Sequence, residues 1–84
     1  MEILLIFYQK YMLSLTKKEI MYNLSEQELQ ILNFLKDGDI NIEIADKMCL
    51  SRHTVKAHIS AIIKKLNAKN RTNAVYIASK NNII

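Results

Sequence analysis

Eighty-four residues, half of them apolar, with one glycine and no proline, leave room for a single modest core and favour packed helices over turn-rich sheets, so an all-α fold is expected. One cysteine excludes an internal disulfide, no apolar run reaches the ~18 residues of a membrane span, and the start MEILLIFYQKYMLSL lacks a signal peptide's basic lead and cleavage site. The net charge of +4 is unevenly spread: residues 1–46 carry eight carboxylates and four lysines, whereas residues 47–84 carry eight basic side chains and no acid.

In chain order, residues 3–15 form the first apolar segment. Leu4, Tyr8, Tyr11 and Leu15 recur at i, i+4, i+7 and i+11, which marks one face of an N-terminal helix over about 2–15. Ser25 followed by Glu28 fits a capping box, in which the serine oxygen accepts a first-turn N–H and the glutamate reaches back. A helix over about 26–36 follows, with Ile31, Leu32 and Leu35 on one face, Leu24 just ahead, and Gly38 placed to end it in a left-handed conformation.

Ile44, Ala45 and Met48 mark the inward side of a second, short helix over about 41–48. Cys49, Leu50 and Ser51 make the next turn, with Ser51 as N-cap to His53 or Thr54. The third helix, about 52–66, carries a core stripe of Val55, Ile59, Ile62, Ile63 and Leu66. Asn70 caps a fourth over about 71–80, where Ala74 to Ala78 are consecutively apolar and leave one side for a partner.

Cys49, His53 and His58 fall within ten residues and raise the question of a metal or catalytic site. Zinc needs converging ligands, usually four. At ~100° per residue, His53 and His58 are separated by about 140° around their helix, so they point apart. Cys49 reads as a small hydrophobe in a turn, and no third group is placed to orient a Cys/His pair. No metal, no cofactor and no enzymatic activity are expected.

The face of the third helix opposite its core stripe presents Arg52, His53, Lys56, Ala57, Ser60 and Lys64. Long basic groups beside small ones allow a helix backbone to enter a DNA major groove while lysine reaches guanine acceptors or phosphates. An ordinary solvated face is the bland alternative. A short helix, a three-residue turn and a longer basic helix in an acid-free half of the chain favour a helix-turn-helix that binds a polyanion.

The stretch from Leu24 to about Ala78 resembles the LuxR-type, GerE-like helix-turn-helix domain. The resemblance lies in LSEQELQIL at 24–32, Gly38, NIEIADKM at 41–48, LSRHTVKAHISAIIKKL at 50–66 and NRTNAV at 70–75. Sigma-factor region 4 shares the helix-turn-helix, but that likeness stops before the NRTNAV segment. The LuxR resemblance implies a four-helix domain over 24–84, here with an N-terminal helical extension over 1–23, acting as a DNA-binding transcriptional regulator at inverted half-sites. By position it implies that Lys56, Ala57 and Ser60 face base edges while Thr54, His58, Lys64, Lys65 and Arg71 lie near the sugar-phosphate backbone. It also implies a homodimer through the fourth helix, at Tyr76, Ile77 and Lys80, with RNA polymerase as a further candidate partner.

Two departures stand out. Ile40 occupies the position where the family places a Ser or Thr cap, so Asp39 is the candidate cap for the second helix. Residues 1–23 are too few for the receiver or ligand-binding domain that relatives carry, which leaves a stand-alone cytoplasmic regulator, a fragment of a longer protein, or a domain whose N-terminal helix supplies dimer contacts, the first being favoured. The competing expectation is a protein-interaction module that sequesters another regulator through its apolar N-terminal or fourth helix.

Overall fold

The computed structural model describes residues 22–84. Among these residues all regular structure is helical: α1 (Glu26–Lys36), α2 (Asn41–Met48), α3 (Arg52–Lys65) and α4 (Arg71–Lys80). The N-terminal helix expected over 2–15 lies outside the described residues. The four domain helices fall where capping residues and apolar periodicity place them, with α3 one residue shorter at its end.

Side-chain caps start three of the helices. Ser25 and Glu28 form the expected reciprocal box: the Ser25 N–H donates to Glu28 Oε1 at 2.8 Å and the Glu28 N–H to Ser25 Oγ at 3.1 Å. Ser51 Oγ accepts the Thr54 N–H at 3.0 Å, and Asn70 Oδ1 accepts the Asn73 N–H at 2.8 Å. The start of α2 differs from expectation. Asp39 does not cap it, because its carboxylate takes the Lys47 ammonium at 2.6 Å. Ile40 has no side-chain acceptor, so only half of a box forms, with the Ile40 N–H donating to Glu43 Oε1 at 3.0 Å.

All four helices end in one way, although the chain has only one glycine. Gly38, Cys49, Asn67 and Asn82 have φ of 90°, 55°, 53° and 57°, the left-handed region. After each, the next N–H returns to a carbonyl five residues back: Asp39 to Phe34, Leu50 to Ala45, Ala68 to Ile63 and Ile83 to Ala78, at 2.8–3.0 Å. This is the Schellman arrangement, which satisfies carbonyls that a helix end would otherwise leave open. In three of the four the residue making the return bond is apolar, and Leu50, Ala68 and Ile83 fold back onto the core.

The core is one cluster: Leu24, Leu29, Ile31 and Leu32 from the first segment, Ile44 and Ala45 from α2, and Val55, Ile59, Ile62 and Leu66 from α3 and its end. Ala74, Ala78 and Ile83 close it. Helix α3 contacts each of the other three described helices, and α1 also contacts α4. Ala74 and Ala78 are fully buried, so α4 approaches through small side chains. Tyr22 also packs on the core and the Asn23 carbonyl bonds to Lys65, so the domain's contacts include residues ahead of Leu24. No described helix is long and apolar enough to cross a membrane.

Candidate nucleic-acid interface

The orientation of α3 is fixed from inside. Val55, Ile59 and Ile62 are buried, and the left-handed turn at Cys49 with partly buried Leu50 sets the angle between α2 and α3. Because 3.6 residues make a turn, burying that stripe forces the opposite side outward. Arg52, His53, Lys56, Ala57, Ser60 and Lys64 are all exposed. Thr54 and His58 are half-buried on one flank, and the Thr54 hydroxyl oxygen accepts from Ser51 Oγ at 2.8 Å.

Among the described residues, ion pairs engage only Lys47 and Lys65. Arg52, Lys56, Lys64 and Lys69 therefore have no carboxylate partner there, and their charge is available to an external anion. Lys47 sits between Asp39 and the Phe34 ring, whose centroid is 5.1 Å from Nζ, and the Asp39 hydrogen bond raises its pKa above the ordinary lysine value. Arg71 donates to Asn41 Oδ1 at 2.8 Å, tying the start of α4 to the start of α2.

Lys65 is placed differently from Lys56. Nine residues apart on one helix, they lie on opposite flanks, about 180° apart. The Lys65 flank faces α1: Nζ donates to Glu28 Oε1 at 2.7 Å and to the Asn23 carbonyl at 3.0 Å. Glu28 is only 3% exposed. Burial pushes its pKa upward, but the hydrogen bond from Lys65, those from the Ser25 backbone and hydroxyl, and the Lys65 charge together bring it below its ordinary 4.5. The serine-glutamate box was readable from adjacent residues. The lysine 37 positions away that completes it gave no local signal.

On α4, Tyr76 and Lys80 stand outside, with Lys80 Nζ 5.9 Å from the Tyr76 ring centroid, while Ile77 is partly buried against the core. Cys49 is an exposed helix-terminating residue. No group of three His, Cys, Asp or Glu side chains converges among the described residues. Two exposed side chains at the start of α2, Ile40 and Ile42, were not foreseen as surface features. Ile40 drew notice only at the cap position and Ile42 none, because periodicity over a short helix does not say which flank a neighbour will cover.

This fold, a short helix and a capped basic helix joined by a tight turn within a four-helix core, defines a helix-turn-helix domain. Residues 22–78 match the luxR family of bacterial regulatory proteins, and the chain belongs to that family. Its relatives include an uncharacterized transcriptional regulatory protein YxjL of Bacillus subtilis, 37% identical over 80% of this chain and 31% of its own length. The response regulator protein VraR of Staphylococcus aureus is 38% identical over 81% of this chain and 32% of its own. The CsgBAC operon transcriptional regulatory protein of Escherichia coli is 45% identical over 69% of this chain and 27% of its own. The chain thus aligns with less than a third of the length of proteins it matches.

Proposed function

We propose that residues 22–84 form the sequence-specific, double-stranded-DNA-binding domain of a transcriptional regulator, with α3 seated in the major groove and no catalytic role. The observation that carries this reading is the outward face of α3, where Arg52, His53, Lys56, Ala57, Ser60 and Lys64 are exposed and no carboxylate within the described residues takes up the basic charge. Lys56, Ala57 and Ser60 face base edges, and Thr54, His58, Lys64 and Arg71 lie along the backbone. Lys65 adds its charge from the Glu28 anchor. Its share of phosphate contact is smaller than that of Lys64, since meeting a phosphate directly would mean leaving a buried carboxylate unpaired.

The proposal extends to a homodimer at inverted half-sites. Tyr76 and Lys80 on the open side of α4, with Ile77 at its edge, support that interface. It also extends to a cytoplasmic location, with RNA polymerase as the further partner of the bound state. Selection of duplexes from a random pool with the purified chain tests DNA binding, half-site symmetry and preferred sequence together: enrichment of an inverted repeat is expected, and enrichment of single half-sites would remove the dimer. If no duplex binds at micromolar protein and low salt, the protein-interaction reading takes its place.

A further inference from the structure

The start of α2 carries two large apolar side chains in water, Ile40 at 59% exposure and Ile42 at 52%. They border an open groove whose other wall is the beginning of α3, with Arg52, His53 and Lys56 facing Asn41 and Ile42 across it. The polar side chains at this end of α2 are engaged elsewhere. Glu43 is turned back onto the Ile40 N–H at 3.0 Å, and the Asn41 amide oxygen is held by Arg71 at 2.8 Å. Beside the Asn41 amide, what α2 offers toward Lys56 is therefore hydrocarbon, opposite a wall carrying two cations without a carboxylate partner among the described residues.

A hydrocarbon lip beside a cationic wall on the reading helix fits a ligand that is anionic overall and has an apolar feature on its surface. In the major groove the one such feature is the C5-methyl group of thymine. We propose that Ile42 determines specificity, lying against a thymine methyl on a base step next to the one Lys56 reads. The reading surface then includes α2 as well as α3. This inference rests on the DNA-binding reading above. It also bears on Ala57, whose short side chain can contact at most a methyl group of its own. Recognition by this chain then combines one long cationic reader with two apolar ones and the Ser60 hydroxyl, and A·T pairs flank the Lys56 contact in its preferred site.

The test uses the duplex selected from a random pool. Each thymidine is replaced singly by deoxyuridine, which deletes the methyl group and keeps the base pair, and affinities are measured for the parent chain, Ile42→Ser, Ile42→Met and Ala57→Gly. Ile42 is half-exposed, so its two substitutions leave the core intact and should keep the parent's melting temperature, whereas Ala57→Gly, inside α3, should lower it slightly and is compared below that temperature. At one thymine per half-site, distinct from the one that Ala57→Gly affects, methyl deletion should weaken the parent and Ile42→Met about four-fold, the worth of one buried methyl group. The same deletion should leave Ile42→Ser unchanged. If the parent and Ile42→Ser bind the selected site specifically with the same uracil profile, Ile42 reads no methyl, and the inference falls while DNA binding stands. If the parent binds no duplex at all, the DNA-binding reading falls and takes the inference with it.

Discussion

Cys49 is the one helix-terminating left-handed residue here that is neither glycine nor asparagine, the types that adopt this conformation at least cost. Its thiol is exposed, so it contributes little packing in exchange for that backbone cost. Cys49→Gly should therefore stabilise the domain by about 1 kcal/mol, raising the melting temperature by roughly 4–8 °C in a unit of this size; an unchanged or lowered value in calorimetry would show that the turn is not strained. Among the basic residues, position within α3 separates two kinds of effect. Lys56→Ala should relax preference at one base pair at a cost of roughly 1–3 kcal/mol, whereas Lys64→Ala should weaken all duplexes alike and lower the salt slope by about one. Uniform loss in both variants would remove Lys56 from the base-reading set.

The pairing of α1 with α3 is where local and long-range contacts meet. Glu28 is the third residue of α1 and caps that helix, yet its carboxylate also holds Lys65 at the far end of α3. Its pKa is lower in the folded domain than its ordinary value, so the ionised carboxylate contributes stability above that ordinary value, and the contribution is lost as pH falls through the folded pKa. Thermal melting followed from neutral pH into the acid range should thus decline less steeply in Glu28→Gln than in the parent; parallel curves would mean that another carboxylate governs acid sensitivity. At neutral pH the substitution should cost about 1–2 kcal/mol, less than a fully buried pair, because Lys65 is 34% exposed and can be rehydrated. Helix α3 also depends on its buried stripe: Ile62→Ala should cost roughly 2–4 kcal/mol, since Ile62 is wholly enclosed where α3 meets the rest of the core.

Over the whole molecule the acid-free half supplies α3 and α4, and among the acids of the other half Asp39, Glu28 and Glu43 are engaged with Lys47, Lys65 and a backbone N–H. A surface of unneutralised cations makes affinity depend on counterion release. If Arg52, Lys64, Lys69 and Arg71 each meet a phosphate, raising salt from ~50 to ~200 mM should weaken binding roughly 100-fold per protomer. A flat response, measured by fluorescence anisotropy on a labelled duplex, would mean that basic contacts do not supply the affinity.

Helix positions, the caps of α1, α3 and α4 and the outward face of α3 followed from local pattern, because capping residues, apolar spacing and charge act within a few residues of one another. Ser25, Ser51 and Asn70 cap as their neighbours predict, and Val55, Ile59 and Ile62 alone fix which side of α3 meets solvent. Packing between distant segments decided the remainder. It gave Lys65 to Glu28 across 37 residues, drew Asp39 away from capping α2, buried Ile83 and left Ile42 uncovered beside Lys56. A charge or an apolar group becomes a structural anchor or a reading surface according to which neighbour reaches it first, and that depends on how the helices pack.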